Sequence, residues 1–77
     1  MSEREPSYGM KAVGFTFNPS GDPSVGLCKT IIARAIDQMD ELRQSSASTE
    51  QKRLCSVAIT EMQAAQMWAV KALTWKD

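Results

Sequence analysis

The sequence predicts a mainly all-α protein: an antiparallel two-helix hairpin, preceded by a short extended N-terminal segment and assembled into a symmetric oligomer. Three observations predict it. Apolar side chains recur at intervals of three and four over two long segments. A polar, serine-rich break with capping residues separates those segments. The chain has only 77 residues, and a domain near this size buries about 60% of the surface its unfolded form exposes. Disulfides, a metal or partner subunits normally reinforce so small a core.

Residues 1–7 are polar and read as a flexible arm, ahead of a single hairpin domain over residues 8–77. Residues 8–18 read as extended, because Val13, Phe15 and Phe17 alternate with Ala12, Gly14 and Thr16. Gly9 and Gly14 weaken a regular strand there and mark bends or close backbone approach. The run Asn18-Pro19-Ser20-Gly21-Asp22-Pro23 is dense in turn formers. Its last two residues are a helix start: Asp22 can cap the first free amides, and Pro23 loses nothing by lacking an N–H in the first turn.

From there Val25, Cys28, Ile32, Ala35, Met39 and Leu42 define a heptad seam, widened by Ile31 and Ile36, over a helix spanning about residues 23–44. The run Ser45-Ser46-Ala47-Ser48-Thr49 ends it, and Ser48 with Gln51 opens a second helix over about residues 49–74. On this second helix apolar residues cover roughly two thirds of the circumference at 100° per residue, whereas one partner helix needs a stripe of about 100°. Further copies of the chain are the natural cover, and Ala58, Ala65, Ala69 and Ala72 allow close approach. Glu61, inside the apolar arc, reads as a paired carboxylate at an interface edge.

Composition narrows the function. Nine basic and nine acidic residues balance to a formal charge of zero, which argues against a DNA or RNA polymer as partner, since such binders are usually strongly basic. Histidine is absent, removing the commonest metal ligand and general base. No nucleophile–base pair, phosphate-binding glycine loop or suitably spaced carboxylate pair is visible, so neither an enzyme nor a cofactor is expected. Met1 to Pro6 has no apolar run behind it, unlike a signal peptide, and no stretch is apolar for long enough to span a membrane. Cys28 and Cys55 then read as small buried residues of a reducing compartment, and the chain as soluble and intracellular.

Arg53, Ser56, Thr60, Gln63, Met67, Lys71 and Thr74 share the narrow remaining face of the second helix, which is rich in neutral hydrogen-bonding groups. Composition favours a polar surface or interhelix seam; the sharper alternative is a recognition stripe for a polar small ligand. Lys29, one turn into the first helix, either snorkels or joins the helix N-terminus as a phosphate site. Tyr8, Phe15, Phe17 and Trp75 lie outside the seam, as caps on a small core or as platforms for flat rings.

The run from Tyr8 to Pro23, with its Phe17-Asn18-Pro19-Ser20-Gly21-Asp22 core, and the later stretch Ala64 to Ala72 together resemble the hairpin domain shared by phage anti-CBASS and anti-Thoeris proteins. The resemblance covers about Tyr8 to Trp75. It implies a sponge that sequesters cyclic nucleotide immune messengers (cyclic dinucleotides, cyclic trinucleotides or cyclic ADP-ribose isomers) without cleaving them, in the cytoplasm of an infected bacterial host. It also implies a homo-oligomer, often a hexamer, with pockets between protomers. By resemblance Lys29 holds ligand phosphate, Phe17 and Asn18 form the aromatic and amide of a pocket, and Lys71, with Thr74 as its neighbour, occupies a position where relatives carry Arg or Lys. The phosphate would also contact a neighbour's basic side chain, with rings stacked on Phe17 or Tyr8. Two departures leave the ligand class open: the tyrosine–arginine step ahead of the first helix in many anti-CBASS relatives is replaced by glycine and phenylalanines, and the additional N-terminal region of many anti-Thoeris relatives is missing. A protein–protein module that inhibits a host factor through the hairpin surface is the competing expectation.

Overall fold

The computed structural model describes residues 5–18 and 21–77; most of the expected N-terminal arm, and Pro19 and Ser20 of the turn, lie outside them. Three helices follow one another: α1, Tyr8–Ala12; α2, Pro23–Ser45; and α3, Thr49–Leu73. No strand occurs among the described residues, and no helix among them is long and apolar enough to cross a membrane.

The two long helices begin where their capping chemistry says. Asp22 is the N-cap of α2, its Oδ1 accepting from the Ser24 amide at 2.8 Å, with Pro23 in the first turn. Ser48 caps α3 by accepting from the Gln51 amide at 3.0 Å. Arg53 reaches back one turn to bind both oxygens of Glu50, which holds that exposed carboxyl below its usual range. Replacing Ser48 by alanine is expected to cost about 1 kcal/mol, the usual worth of such a cap; a urea titration followed by circular dichroism reads the loss directly.

The extended N-terminal segment is not what forms. Ser7 accepts from the Met10 amide at 3.1 Å and starts a one-turn helix. The turn closes when the Phe15 amide bonds the Met10 carbonyl and the Gly14 amide bonds the Lys11 carbonyl. This is the paired pattern of a Schellman C-terminus, with Gly14 at φ 60° as its left-handed residue. The alternation of Val13, Phe15 and Phe17 spans too few residues to outweigh a cap and a glycine stop in the right places.

Helix α1 lies on α2 at Gly9. The Gly9 amide donates to Asp37 Oδ1 at 2.7 Å, and the backbone passes so near Ala33 that only a hydrogen fits on the Gly9 α-carbon. The Gln63 side chain bonds the Ala12 carbonyl at 3.4 Å and ties the end of α1 to α3. The core of Val13, Ala33, Ile36 and Ile59 therefore sits where three helices meet, flanked by Met10, Phe15, Ile32, Met39 and Met62.

This third body rotates the buried face of α2. Its fully buried residues are Val25, Lys29, Ala33 and Ile36, an arc displaced by roughly 80° from the expected heptad seam on a wheel of 100° per residue. Leu27, Ile31 and Leu42 are left exposed, as are Leu54, Val57, Trp68 and Leu73 on α3. Both cysteines are free thiols, Cys55 buried and Cys28 partly so.

Candidate functional site

Residues 13–18, which follow α1, border a cleft of about 430 Å³ with the N-terminal half of α2 and the C-terminal half of α3. Such a volume lies in the range of small-molecule sites. Val13, Val25 and Val70 give the cleft an apolar lining, and Gly14 leaves its side open. Phe17, 72% exposed, and Met67, 65% exposed, stand at its rim.

Lys29 is the cleft's cation. It is only 4% exposed, and its ammonium donates to the Gly14 carbonyl at 2.9 Å and to the Phe17 carbonyl. Two of its three protons are thus engaged, and one donor is left for a further acceptor. The same Nζ lies 5.6 Å from the centroid of the Phe17 ring, within cation–π range. Lys29 is therefore not a snorkelling surface lysine, and its ammonium turns to the loop carbonyls, while at the helix N-terminus Asp22 accepts from the Ser24 amide.

The other expected site residues divide. Asn18 borders the cleft, but its amide is committed to the loop, with Nδ2 donating to the Asp22 carbonyl at 3.0 Å and Oδ1 accepting from the Asp22 amide at 3.2 Å. Thr74 borders the cleft and uses its hydroxyl proton on the Val70 carbonyl at 2.8 Å, which leaves an acceptor. Tyr8 is not brought to the site. Its ring lies under the Arg43 guanidinium at 5.5 Å from centroid to Cζ, at the far end of α1's packing; the Asp40 hydrogen bond foremost raises the pKa of that guanidinium further. Nor does Lys71 line the cleft, for its ammonium sits 5.5 Å over the Trp68 ring on the outer face of α3. Both positions are long-range outcomes: α1 folds back toward the middle of α2, and the cleft takes the α3 face that carries Gln66 and Val70.

Gln66 is the site residue that sequence reasoning missed. It lines the cleft at only 7% exposure, and its amide makes no side-chain hydrogen bond with a described residue. The signal was present: Cys55, Ile59, Met62 and Gln66 follow one another at four, three and four, so Gln66 is a polar residue on an apolar seam. The polar stripe is divided among several roles. Ser56 accepts from Arg43, Gln63 holds α1, and Met67 and Thr74 border the cleft. Glu61 is exposed and forms no ion pair with a described residue. No group of three metal-ligating side chains is present among the described residues.

A buried ammonium beside an exposed aromatic ring suits the capture of a small aromatic anion. The family model of the Acb2/Tad1 hairpin domain matches residues 10–74. The chain belongs to the Acb2/Tad1 hairpin-domain family. This is the anti-CBASS and anti-Thoeris sponge family, associated with anti-defence sequestering of cyclic nucleotides, and it is not a known enzyme family. No curated protein and no solved structure was found to be similar to the chain. The matched span takes in the loop that carries Phe17 and Asn18, all of α2 and all of α3, so every element that builds the cleft belongs to the family domain.

Proposed function

We propose that this Acb2/Tad1-type hairpin domain is a phage anti-defence sponge, which binds cyclic nucleotide immune messengers intact and keeps them from their effectors. The observation that carries this reading is the remaining donor of Lys29 beside the Phe17 ring. A phosphodiester oxygen accepts a hydrogen bond from the ammonium, and a base stacks on the ring, so that one cleft holds both halves of a nucleotide. Neutral overall charge is no obstacle, since a small cyclic phosphodiester needs few cations, whereas a DNA or RNA polymer needs many.

The cleft is unfinished in one copy. Its rim residues Phe17 and Met67 are exposed, and so is the apolar surface of Leu27, Ile31, Trp68 and Leu73. Homo-oligomerisation, as a hexamer in the form the family resemblance implies, covers that surface and brings a neighbour's Lys71 as a second cation. Sequestration then needs tight binding and copy number rather than turnover, and it takes place in the cytoplasm of the infected host.

Incubation of the purified protein with a panel of cyclic dinucleotides, cyclic trinucleotides and cyclic ADP-ribose isomers, followed by denaturation, should return the bound ligand unchanged. Release of a linear product overturns the sponge reading. Phe17→Ala is expected to weaken binding by about 10- to 100-fold through loss of stacking, with little change in unfolding midpoint because the ring is largely exposed; calorimetric titration beside a urea melt separates the two. The exposed apolar surface also keeps open a module that inhibits a host factor. That alternative requires the surface to stay accessible to apolar dyes in the purified assembly and predicts no thermal shift with any cyclic nucleotide.

A further inference from the structure

Within the proposed sponge site, on which this inference rests, we infer that Gln66 is the residue that reads the base of the ligand and that it selects adenine. Two amides border the cleft, and they stand in opposite states. Both polar atoms of Asn18 are engaged by the Asp22 backbone. Gln66 is more than nine-tenths buried, yet its amide makes no hydrogen bond with a described residue. None of the described side chains that are not exposed contains a fully buried polar atom lacking a partner, so the Gln66 amide is not sealed off, and its residue borders the cleft on one side and a shallower hollow beside Ala12, Thr60 and Gln63 on the other. A polar group in this position, amid Val13, Val25 and Val70, costs stability with no hydrogen bond in return from the described residues.

The chemistry of the amide specifies its partner. A carboxamide presents one acceptor beside one donor group. Adenine is the purine that meets this pattern on both of its edges, with the N6 amino donor next to N7 on one and next to N1 on the other. Guanine offers two acceptors, O6 and N7, on its Hoogsteen edge; its Watson–Crick edge matches the amide through O6 and N1–H, but then leaves the N2 amino group without a partner beside an apolar lining. Phosphate on Lys29, the ring stack on Phe17 and the base edge on Gln66 thus divide recognition: the first two accept any nucleotide, and the third discriminates.

The test compares cyclic di-AMP with cyclic di-GMP, which differ in the base alone, by calorimetric titration of the full chain and of Gln66→Leu. The parent protein should bind cyclic di-AMP more tightly, and Gln66→Leu should reduce the ratio of the two affinities by about 10- to 100-fold, the discrimination that a bidentate base contact supplies. In the parent protein, the Gln66 side-chain amide resonances should shift with cyclic di-AMP, a measurement that does not need the variant to fold. Equal weakening of both ligands in Gln66→Leu, an unchanged ratio, or a parent protein without adenine preference each overturns the assignment and leaves the sponge reading intact. A parent protein that binds neither ligand and no other cyclic nucleotide overturns both.

Discussion

Lys29→Met is expected to lower the unfolding free energy by about 2 to 4 kcal/mol and to abolish measurable ligand binding. The ammonium is buried and holds two backbone carbonyls, those of Gly14 and Phe17, 15 and 12 residues away along the chain. A methionine fills most of the same volume but leaves both carbonyls without their donor, at about 1 to 3 kcal/mol for each one that stays buried. Urea unfolding followed by circular dichroism should show a lower midpoint at an unchanged slope. An unchanged midpoint would mean that the ammonium does not anchor the loop. A charge reversal to glutamate is a poorer probe of the ligand, since a carboxylate facing two carbonyls in a buried site is destabilising in itself. Binding and folding are coupled at this residue, which is why Phe17 provides the cleaner test of ligand contact.

Gly9→Ala is expected to detach α1. A β-carbon there would collide with the Ala33 carbonyl oxygen, and it would lie 2.8 Å from both the Ala33 carbonyl carbon and Asp37 Oδ1. Two of these atoms are backbone in the middle of a long helix and cannot yield as a side-chain tip does. Overpacking of this kind costs about 1 to 3 kcal/mol when the site relaxes; here relaxation means that α1 lifts from α2 and breaks the Gly9–Asp37 bond as well. Amide hydrogen exchange should show loss of protection over residues 8–18, while the α2–α3 hairpin keeps its own. Because those residues carry Phe17 and supply the Lys29 partners, the variant should also bind cyclic nucleotides at least tenfold more weakly, the same order as the loss of one stacked base. Retained protection over residues 8–18 would show that α1 accommodates the methyl group in place.

The legible part of this fold is the part written within a few residues. Asp22-Pro23 and Ser48 with Gln51 mark the starts of α2 and α3, because a cap is a bond between a side chain and an amide two or three positions on. The same local grammar is present at Ser7 and Gly14, but α1 is only five residues long, and the alternation of Val13, Phe15 and Phe17 just after it imitates a strand. Without α1, apolar spacing centres the face of α2 on the Cys28, Ile32 and Met39 seam; with it, the buried arc turns to Lys29 and Ala33.

The site divides along the same line. Phe17, Lys29 and Thr74 were expected at the site and line one cleft; Asn18 was expected as a ligand amide and instead closes the loop on Asp22; Tyr8 and Lys71 were expected and lie elsewhere. Gln66 went unnoticed although its position on an apolar seam marked it. The residue types alone could not rank the two amides, since Asn and Gln carry the same donors and acceptors.

Two capped helices, a short polar break between them, the absence of histidine and the wide apolar face of α3 are thus legible in the residues alone. Each of these is a property of neighbours along the chain or of composition. The tertiary structure alone decided which lysine is buried, which amide is engaged and which ring stands at the rim. Those outcomes depend on a loop returning across 12 or 15 residues to Lys29 and on α3 meeting α1 from 51 residues away. Contacts over such separations are set by packing geometry, not by local propensity, and here that geometry turns an ordinary helical lysine into the anchor of the loop that walls the cleft.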